Sequence, residues 1–184
     1  MVGFALALAC IGSAATAQSN GSWDIVLNGR SHHIDAAYQW NEDNWGLGVE
    51  REFASAGPWI KVALGNTFMD SMNNPSYMAG GGLKRRFRFR SDDFYVDLGG
   101  IAFLMTRDNV NGDRPFPGLL PAATFGFKRV ALNVTYLPES VVDSVTNSHR
   151  YDPSMKGVFF LQLKLDAALF GPANSDRQWL AQGW

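Results

Sequence analysis

The chain has almost no cysteine and no long hydrophobic run. Its one cysteine among 184 residues is Cys10, which lies in an apolar N-terminal stretch. A mature chain without that stretch would have no thiol for disulfide or nucleophilic chemistry. No later segment approaches the roughly 20 continuous apolar residues that a membrane-spanning helix needs. The sequence therefore argues against a disulfide scaffold and against a helical membrane protein.

The chain also lacks an excess of one charge and the common catalytic motifs. It has 16 Lys and Arg against 17 Asp and Glu, a formal net charge of -1. This balance gives no electrostatic case for nucleic acid as a partner. The sequence contains no glycine-rich phosphate loop, no HExxH and no Cys/His metal spacing. We expect no nucleic-acid partner, no metal and no cofactor.

The first 17 residues have the pattern of a secretory signal peptide. Val2–Ile11 is an apolar core, and Ala15-Thr16-Ala17 is a small-residue cleavage site. A short buried N-terminal helix is the alternative interpretation. The remaining chain is predicted to divide into a short N-terminal periplasmic segment (18–30), a barrel (31–166) and a periplasmic tail (167–184).

Alternation with a two-residue period is the strongest pattern in the sequence. In Trp59–Asp70, Ile60, Val62, Leu64 and Phe68 share one face, while the other face is small or polar. Similar runs recur along the chain, and most approach the roughly 9–11 residues of a tilted transmembrane strand. They are Ser31–Trp40, Trp45–Phe53, Trp59–Met69, Tyr77–Phe89, Phe94–Met105, Leu119–Lys128, Val130–Leu137 and Gly157–Leu165. We predict an all-β fold, an eight-stranded antiparallel transmembrane β-barrel with the apolar face toward lipid.

The connections between these runs alternate in length. Short turns alternate with longer segments at Asn41–Asn44, Asp70–Ser76, Arg107–Gly118 and Pro138–Lys156. Short periplasmic turns and longer outer loops are typical of bacterial outer-membrane barrels. We therefore expect both termini on the periplasmic side and localisation in the outer membrane.

The same parity assigns side chains to the two barrel faces. The outward set is Trp45, Leu47, Val49, Leu83, Phe87, Phe89, Phe94, Val96, Leu98, Val130, Leu132, Val134, Phe159, Leu161 and Leu163. The inward set contains glycines and charges, and burial requires the charges to pair. A lumen network is expected from Glu50, Lys84, Arg86, Asp97 and Lys164. Inward glycines leave room for a narrow guest such as one acyl chain. The alternative is a soluble ligand barrel with its apolar face inside.

A serine, a histidine and a carboxylate are expected near one barrel mouth. His33 has the inward parity and His32 the outward one, while Asp70-Ser71 ends the third predicted strand at an outer loop. Such a set could support acyl transfer: the histidine takes a proton from an attacking hydroxyl, and the carboxylate orients the imidazole. The alternative is that Asp-Ser serves only as turn chemistry.

Several short motifs occur together in a fixed order. They are N-E-D-N-W-G-L-G (41–48), F-M-D-S-M-N-N-P (68–75), Met78-Ala79-Gly80, T-R-D-N (106–109), P-x-L-L-P (117–121) and T-Y-L-P (135–138). In this order and spacing the chain, from about Ser31 to Leu165, resembles the outer-membrane lipid A palmitoyltransferase family of the PagP type.

The resemblance implies an enzyme that moves a palmitoyl chain from a phospholipid donor to a hydroxyl of lipid A. It implies a catalytic set of His33, Asp70 and Ser71 and an acyl channel inside the barrel with its floor at Gly82. It further implies that Arg107 and Asp108 lie at the active mouth, and that strand gaps for lateral lipid access are marked by Pro117, Pro121 and Pro138. Plain strand termination is the alternative for these prolines. The expected partners are the donor, the acceptor and surrounding outer-membrane lipids, with the chain a monomer.

Two other functions remain open at this point. An outer-membrane lipid A deacylase or phospholipase would use the same residues with water in place of the lipid A hydroxyl. A non-catalytic eight-stranded barrel would bind lipid or only stabilise the membrane.

Overall fold

A computed structural model describes residues 21–89, 93–108, 110–146 and 152–170, and these form a closed barrel. Each strand pairs antiparallel with its neighbour in chain order, and the last strand pairs with the first. The eight strands are β1 (Ser22–Ile34), β2 (Asp43–Glu52), β3 (Trp59–Met69), β4 (Pro75–Arg88), β5 (Phe94–Thr106), β6 (Phe116–Phe127), β7 (Val130–Pro138) and β8 (Gly157–Asp166). The predicted eight-stranded antiparallel barrel is confirmed.

Helices are few in the described part of the chain. One α-helix, α1 (Glu139–Thr146), lies between β7 and β8, and short 3₁₀ helices cover Asn111–Asp113 and Ala167–Leu169. None of the described helices is long and apolar enough to cross a membrane. The predicted signal peptide and the tail after residue 170 lie outside the described residues.

The connections alternate between the two ends of the barrel. Those following β2, β4 and β6 are short, and we call that end the turn end. Those following β1, β3, β5 and β7 include the long segments 107–115 and 139–156, and we call this the loop end. The alternation matches the predicted arrangement of short turns and longer loops.

Parity assigned most of the outward face correctly. Trp45, Leu47 and Leu98 have about half or more of their surface exposed, although they are large apolar side chains. Such a continuous apolar exterior is expected next to lipid and not next to water. The inward residues Lys84 and Asp97 are at most 1% exposed. The soluble-barrel alternative, with its apolar face inside, is therefore wrong.

The first strand begins earlier than the sequence predicted. Residues 22–30, predicted to be a periplasmic segment, form most of β1, and residues 35–40, predicted to be strand, form a loop. Asp24 and Asn28 in this segment are polar, yet both are buried inside the barrel. A register shift after Asn28 then changes the parity, as a β-bulge does. It is this shift that turns His33 inward.

The apolar face of β3 is reversed relative to the prediction. Ile60 and Val62 are only 1% and 4% exposed, while Lys61 on the opposite face is exposed. The apolar side chains of β3 therefore face the lumen and not the lipid. The two-residue period predicted the strand, but the side of the sheet depends on the neighbouring strands. Leu64 and Phe68 of β3 line the cavity inside the barrel.

Buried charges form a network at the turn end of the lumen. The carboxylate of Glu50 accepts hydrogen bonds from Lys84 Nζ and Lys164 Nζ, both at 2.7 Å. Arg86 lies 2.8 Å from both Asp97 and Glu52. The predicted network is confirmed, and it also includes Asp24, 3.0 Å from Lys164 Nζ, and Glu52. These two acids were not predicted because one lies in the misassigned segment and the other at a strand end.

The ladder between β6 and β7 covers only the turn-end half of the barrel. Pairing runs from Phe127–Val130 to Ala123–Val134 and stops there among the described residues. Pro121 lies two positions beyond the last pair, and a proline has no N–H to donate. The barrel wall is therefore weakest between β6 and β7 on the loop-end side.

Candidate active site

A histidine and a serine from different strands meet at the loop end. His33 lies near the end of β1. Asp70 is the first residue after β3, and Ser71 follows it. The imidazole Nε2 lies 3.0 Å from the Ser71 hydroxyl oxygen, which is hydrogen-bond distance. The His33 side chain is 3% exposed, whereas Ser71 is half-buried. A buried base in contact with an accessible hydroxyl is the arrangement that proton transfer needs.

The carboxylate beside the imidazole belongs to Glu42. Its Oε1 accepts a hydrogen bond from the His33 backbone N–H at 2.9 Å and lies 3.5 Å from the imidazole Nδ1. Burial works against the charge of Glu42, but the His33 N–H and the two imidazoles favour it. The pKa of this carboxyl is therefore below its ordinary value. Nothing in the sequence pointed to Glu42 except its place in the 41–48 motif.

The Asp70 carboxylate contacts a guanidinium group and two backbone N–H groups. Its Oδ2 accepts from Arg107 Nε at 2.8 Å, and its Oδ1 accepts from the backbone N–H groups of Met72 and Asn74. These bonds fix the turn that carries Ser71 and join it to the segment after β5. No contact between the Asp70 carboxylate and the imidazole occurs among these bonds, and the carboxylate that lies beside Nδ1, at 3.5 Å, is that of Glu42.

An aromatic side chain packs on the imidazole of His33. The Trp40 ring stacks on the His33 ring at a centroid distance of 5.4 Å and an angle of 15°. Trp40 is held by Asp152, whose Oδ2 accepts from the indole Nε1 at 3.1 Å and from the Tyr38 N–H at 3.0 Å. The hydrogen bond from the Ser154 hydroxyl, followed in size by that from the Tyr38 N–H, holds the pKa of Asp152 well below its usual range. The loop after β1 is thus attached to the loop after β7.

A cavity of about 620 Å³ extends from this pair into the barrel. Its volume lies within the roughly 300–1,000 Å³ of small-molecule sites. Side chains of the loop end and of all eight strands line it, mostly apolar, among them Leu64, Phe68, Met78, Ile101, Phe103 and Phe160. Val141 and Val142 of α1 cover it at the loop end. An apolar guest can therefore lie beneath the histidine and the serine.

The other predicted residues lie around this cavity. Arg107 and Asp108 line its mouth. Gly82 is paired with Ile101, and a Cβ at Gly82 would come 2.9 Å from Ile101 Cγ1, so the glycine makes room for a cavity-lining side chain. Pro117 and Pro121 lie in β6 at positions that β7 does not pair, whereas Pro138, at the end of β7, pairs with Gly157. The structure thus brings His33, Asp70, Ser71 and Arg107 together and leaves Gly82 deeper in the barrel.

Three carboxylates at the turn end lie close enough to hold a cation. Asp24, Glu50 and Glu52 each offer one oxygen, all within 4.8 Å of one another. Lys164 Nζ lies within 3.7 Å of all three acids. A cation would have to displace this ammonium group, so the cluster already has its counter-charge.

A closed eight-stranded barrel with an apolar exterior and a histidine–serine pair over its internal cavity is an outer-membrane barrel with the features of an enzyme. The chain belongs to the PagP family. The family model described as "Antimicrobial peptide resistance and lipid A acylation protein PagP" matches residues 14–147, well over half of the chain.

Relatives from three bacteria support the same assignment, and each is called "Lipid A acyltransferase PagP". The protein of Methylobacillus flagellatus is 32% identical over 126 residues, which are 65% of this chain and 67% of that protein. The Bordetella pertussis protein is 30% identical over 127 residues, or 65% and 69% of the two chains. The Erwinia pyrifoliae protein is 34% identical over 117 residues, or 62% of each.

Among solved structures, the outer-membrane protein Ail of Yersinia pestis aligns at a TM-score of 0.41 and 9% identity. The alignment covers 79% of this chain and 99% of Ail. This likeness is too weak to support any argument about function.

Proposed function

We propose that this chain transfers a palmitoyl-like acyl chain from a phospholipid to a hydroxyl of lipid A. The observation that supports the proposal is the 3.0 Å contact between His33 Nε2 and Ser71 Oγ above an apolar cavity. Membership of the PagP family supplies the substrate class. The base, the hydroxyl and the cavity all lie within one chain, so we propose that the monomer is the active unit.

In the proposed reaction His33 acts first as a base and then as an acid. Nε2 takes the proton of the attacking hydroxyl, whose oxygen bonds to the acyl carbonyl carbon. The ester bond to the donor glycerol breaks, and the leaving oxygen takes the proton back from Nε2. The products are a lysophospholipid and an acylated lipid A, and the enzyme is unchanged. Ser71 holds the base in line with the reacting oxygens.

The cavity is the proposed binding site of the transferred chain. Its apolar lining fits a hydrocarbon tail, and burial of each methylene group contributes about 0.8 kcal/mol. We propose that the donor reaches the cavity sideways between β6 and β7, where pairing ends at Ala123–Val134. Leu119 and Leu137, on the two sides of this opening, both line the cavity.

Arg107 and Asp108 are the proposed contacts for the polar head groups. Both line the cavity mouth, and the Arg107 side chain keeps 20% of its surface exposed beside Asp70. A guanidinium group forms paired hydrogen bonds with phosphate oxygens, which both substrates carry.

Mass spectrometry of lipid A tests the proposal. The chain is expressed behind a complete signal peptide in a Gram-negative host that lacks such an acyltransferase, beside Ser71→Ala and His33→Ala. We expect lipid A to gain the mass of one acyl chain with the wild type and not with either variant. Loss of an acyl mass would instead identify a deacylase. Unchanged lipids with a folded barrel in the outer membrane would favour the lipid-binding alternative.

A further inference from the structure

The imidazole of His33 has one nitrogen in contact with Ser71 and one directed away from it. Nε2 lies 3.0 Å from Ser71 Oγ, while Nδ1 is buried and has no hydrogen bond to any described residue. For Nε2 to accept a proton, the neutral ring must carry its hydrogen on Nδ1. A group that holds Nδ1–H is therefore needed, and Asp70 is already bonded to Arg107, Met72 and Asn74.

Glu42 is held against this nitrogen from two directions. Its backbone carbonyl accepts a hydrogen bond from Ser31 N at 3.0 Å, which attaches it to the strand that carries His33. Its carboxylate Oε1 accepts from the His33 N–H at 2.9 Å and lies 3.5 Å from Nδ1. The 3.5 Å separation is longer than an ordinary hydrogen bond, and in an enzyme without substrate catalytic contacts are often long in this way.

The residue next to Glu42 is attached to the serine. Asn41 N donates to the Ser71 carbonyl oxygen at 2.9 Å, and Asn41 Nδ2 donates to the Asp70 carbonyl oxygen at 2.9 Å. The loop after β1 is therefore hydrogen-bonded both to β1, which carries His33, and to the turn that carries Ser71. A displacement of Glu42 would change the geometry of both.

We propose that Glu42 is the positioning residue of His33. It accepts the Nδ1 hydrogen, holds the tautomer in which Nε2 is the base, and stabilises the imidazolium that forms when Nε2 takes a proton. The role as a positioning residue in catalysis rests on the proposed function, whereas the selection of the tautomer does not. Glu42 is not among the residues that line the cavity.

His32 also contacts this carboxylate and has to be separated from His33. His32 Nδ1 lies 3.3 Å from Glu42 Oε1, but the His32 side chain is 71% exposed. Exposed ion pairs contribute little because water and salt screen them. His32→Asn therefore tests whether Glu42 acts through the buried ring alone.

The kinetic test compares purified, refolded barrels in detergent with phospholipid donor and lipid A acceptor. Glu42→Gln retains an acceptor oxygen and the size of the side chain but loses the charge. We expect kcat to fall at least about tenfold, because the forming imidazolium loses its counter-charge. KM should stay within about twofold, since Glu42 does not line the cavity. Asp43→Asn is the matched control: Asp43 is exposed, pairs only with Arg30 among the described basic residues, and should leave kcat unchanged.

A spectroscopic test is independent of activity. In His32→Asn/His149→Asn protein, ¹⁵N NMR reports the tautomer of His33 alone. We expect neutral His33 to carry its hydrogen on Nδ1, and we expect Glu42→Ala to raise the share of the Nε2–H tautomer.

The outcomes distinguish the two proposals. If the wild type is active and the kcat of Glu42→Gln lies within about twofold of its kcat, the proposed role of Glu42 is wrong. The proposed acyltransferase function would be unaffected. Absence of transfer by the folded wild type would overturn the proposed function, and Glu42 would then have no catalytic role. In either case an unchanged tautomer in Glu42→Ala would overturn the structural assignment as well.

Discussion

At the residue scale, Gly82 illustrates how one missing side chain shapes the cavity. A Cβ at this position would meet the Gly100 carbonyl oxygen and come 2.9 Å from Ile101 Cγ1. A larger residue must therefore push Ile101, which lines the cavity, toward the lumen. We expect Gly82→Met to shorten the acyl chain that is transferred, as measured by the mass added to lipid A. Gly65→Ala, whose Cβ meets nothing within 4 Å, should leave the chain length unchanged.

Asp70 is a second residue whose contacts predict its effect. Its carboxylate receives one guanidinium and two backbone hydrogen bonds while only 2% exposed. We expect Asp70→Asn to lower the free energy of unfolding by about 1.5–3 kcal/mol, since hydrogen bonds to a charged group are lost. We also expect acyl transfer to fall, because Ser71 is the next residue in the turn.

Urea unfolding of the refolded barrel measures the stability of the Asp70→Asn variant. Asp35→Asn is its control, because Asp35 is an exposed loop residue with a positive φ that asparagine adopts readily. Equal stability of both variants would contradict the role of the carboxylate in the turn.

At the element scale, the attachment between the loop after β1 and the loop after β7 holds the Trp40 ring in its stacked position on His33. Asp152 accepts from Tyr38 N and Trp40 Nε1, and Trp40 stacks on the imidazole. We expect Asp152→Asn to speed hydrogen exchange of the backbone amides in residues 36–42 and to lower kcat. Exchange rates identical to those of the wild type would contradict this view.

The same attachment has a defined dependence on pH. The hydrogen bonds from Ser154 and Tyr38 lower the pKa of Asp152 below its ordinary 3.8 in the folded protein. A group with a lowered folded-state pKa contributes stability that is complete above its unfolded pKa and is lost as the pH falls through the folded value. We therefore expect the hydrogen-exchange protection of residues 36–42 to remain the same from pH 7 to pH 5. It should decrease only below about pH 3.8 in the wild type.

The sequence predicted elements better than it predicted their faces. The two-residue period located seven of the eight strands closely, because lipid on one side demands regular alternation. It failed at β1, where the polar residues Asp24 and Asn28 face the lumen and a bulge changes the parity. It also failed at β3, whose apolar face lines the cavity. The two-residue period is a property of a single strand, but whether its apolar side chains face lipid or lumen depends on the neighbouring strands.

For the site, the resemblance supplied the residues, and the structure showed one neighbour of His33 that it had not supplied, Glu42. Parity placed His33 inside, although the strand that carries it begins nine residues earlier than predicted. Glu42 was not predicted because its relation to His33 depends on how the loop after β1 folds back on that strand. No sequence spacing reports that contact.

At the scale of the whole molecule, the lumen is divided into two regions. Its loop-end half is mostly apolar and open to a guest, while its turn-end half is filled by paired charges. The amide side chains of Asn28, Asn66 and Gln162 lie between them and hydrogen-bond to one another. A hydrocarbon chain would have to desolvate these groups to pass, so the charged half sets the depth of the cavity.

The charged half also holds the barrel together, and Glu50 is its centre. Its carboxylate receives both Lys84 and Lys164 while 1% exposed. We expect Glu50→Gln to destabilise the refolded barrel by about 3–5 kcal/mol, because two buried ammonium groups lose a shared counter-charge. The midpoint of urea unfolding in detergent measures this loss. Glu139→Gln makes the same chemical change in a surface pair with Lys156 at 3.7 Å, in which the side chains are 33% and 57% exposed, and should cost less than about 1 kcal/mol. If both variants unfolded at the same urea concentration, the network would fill the lumen without stabilising it.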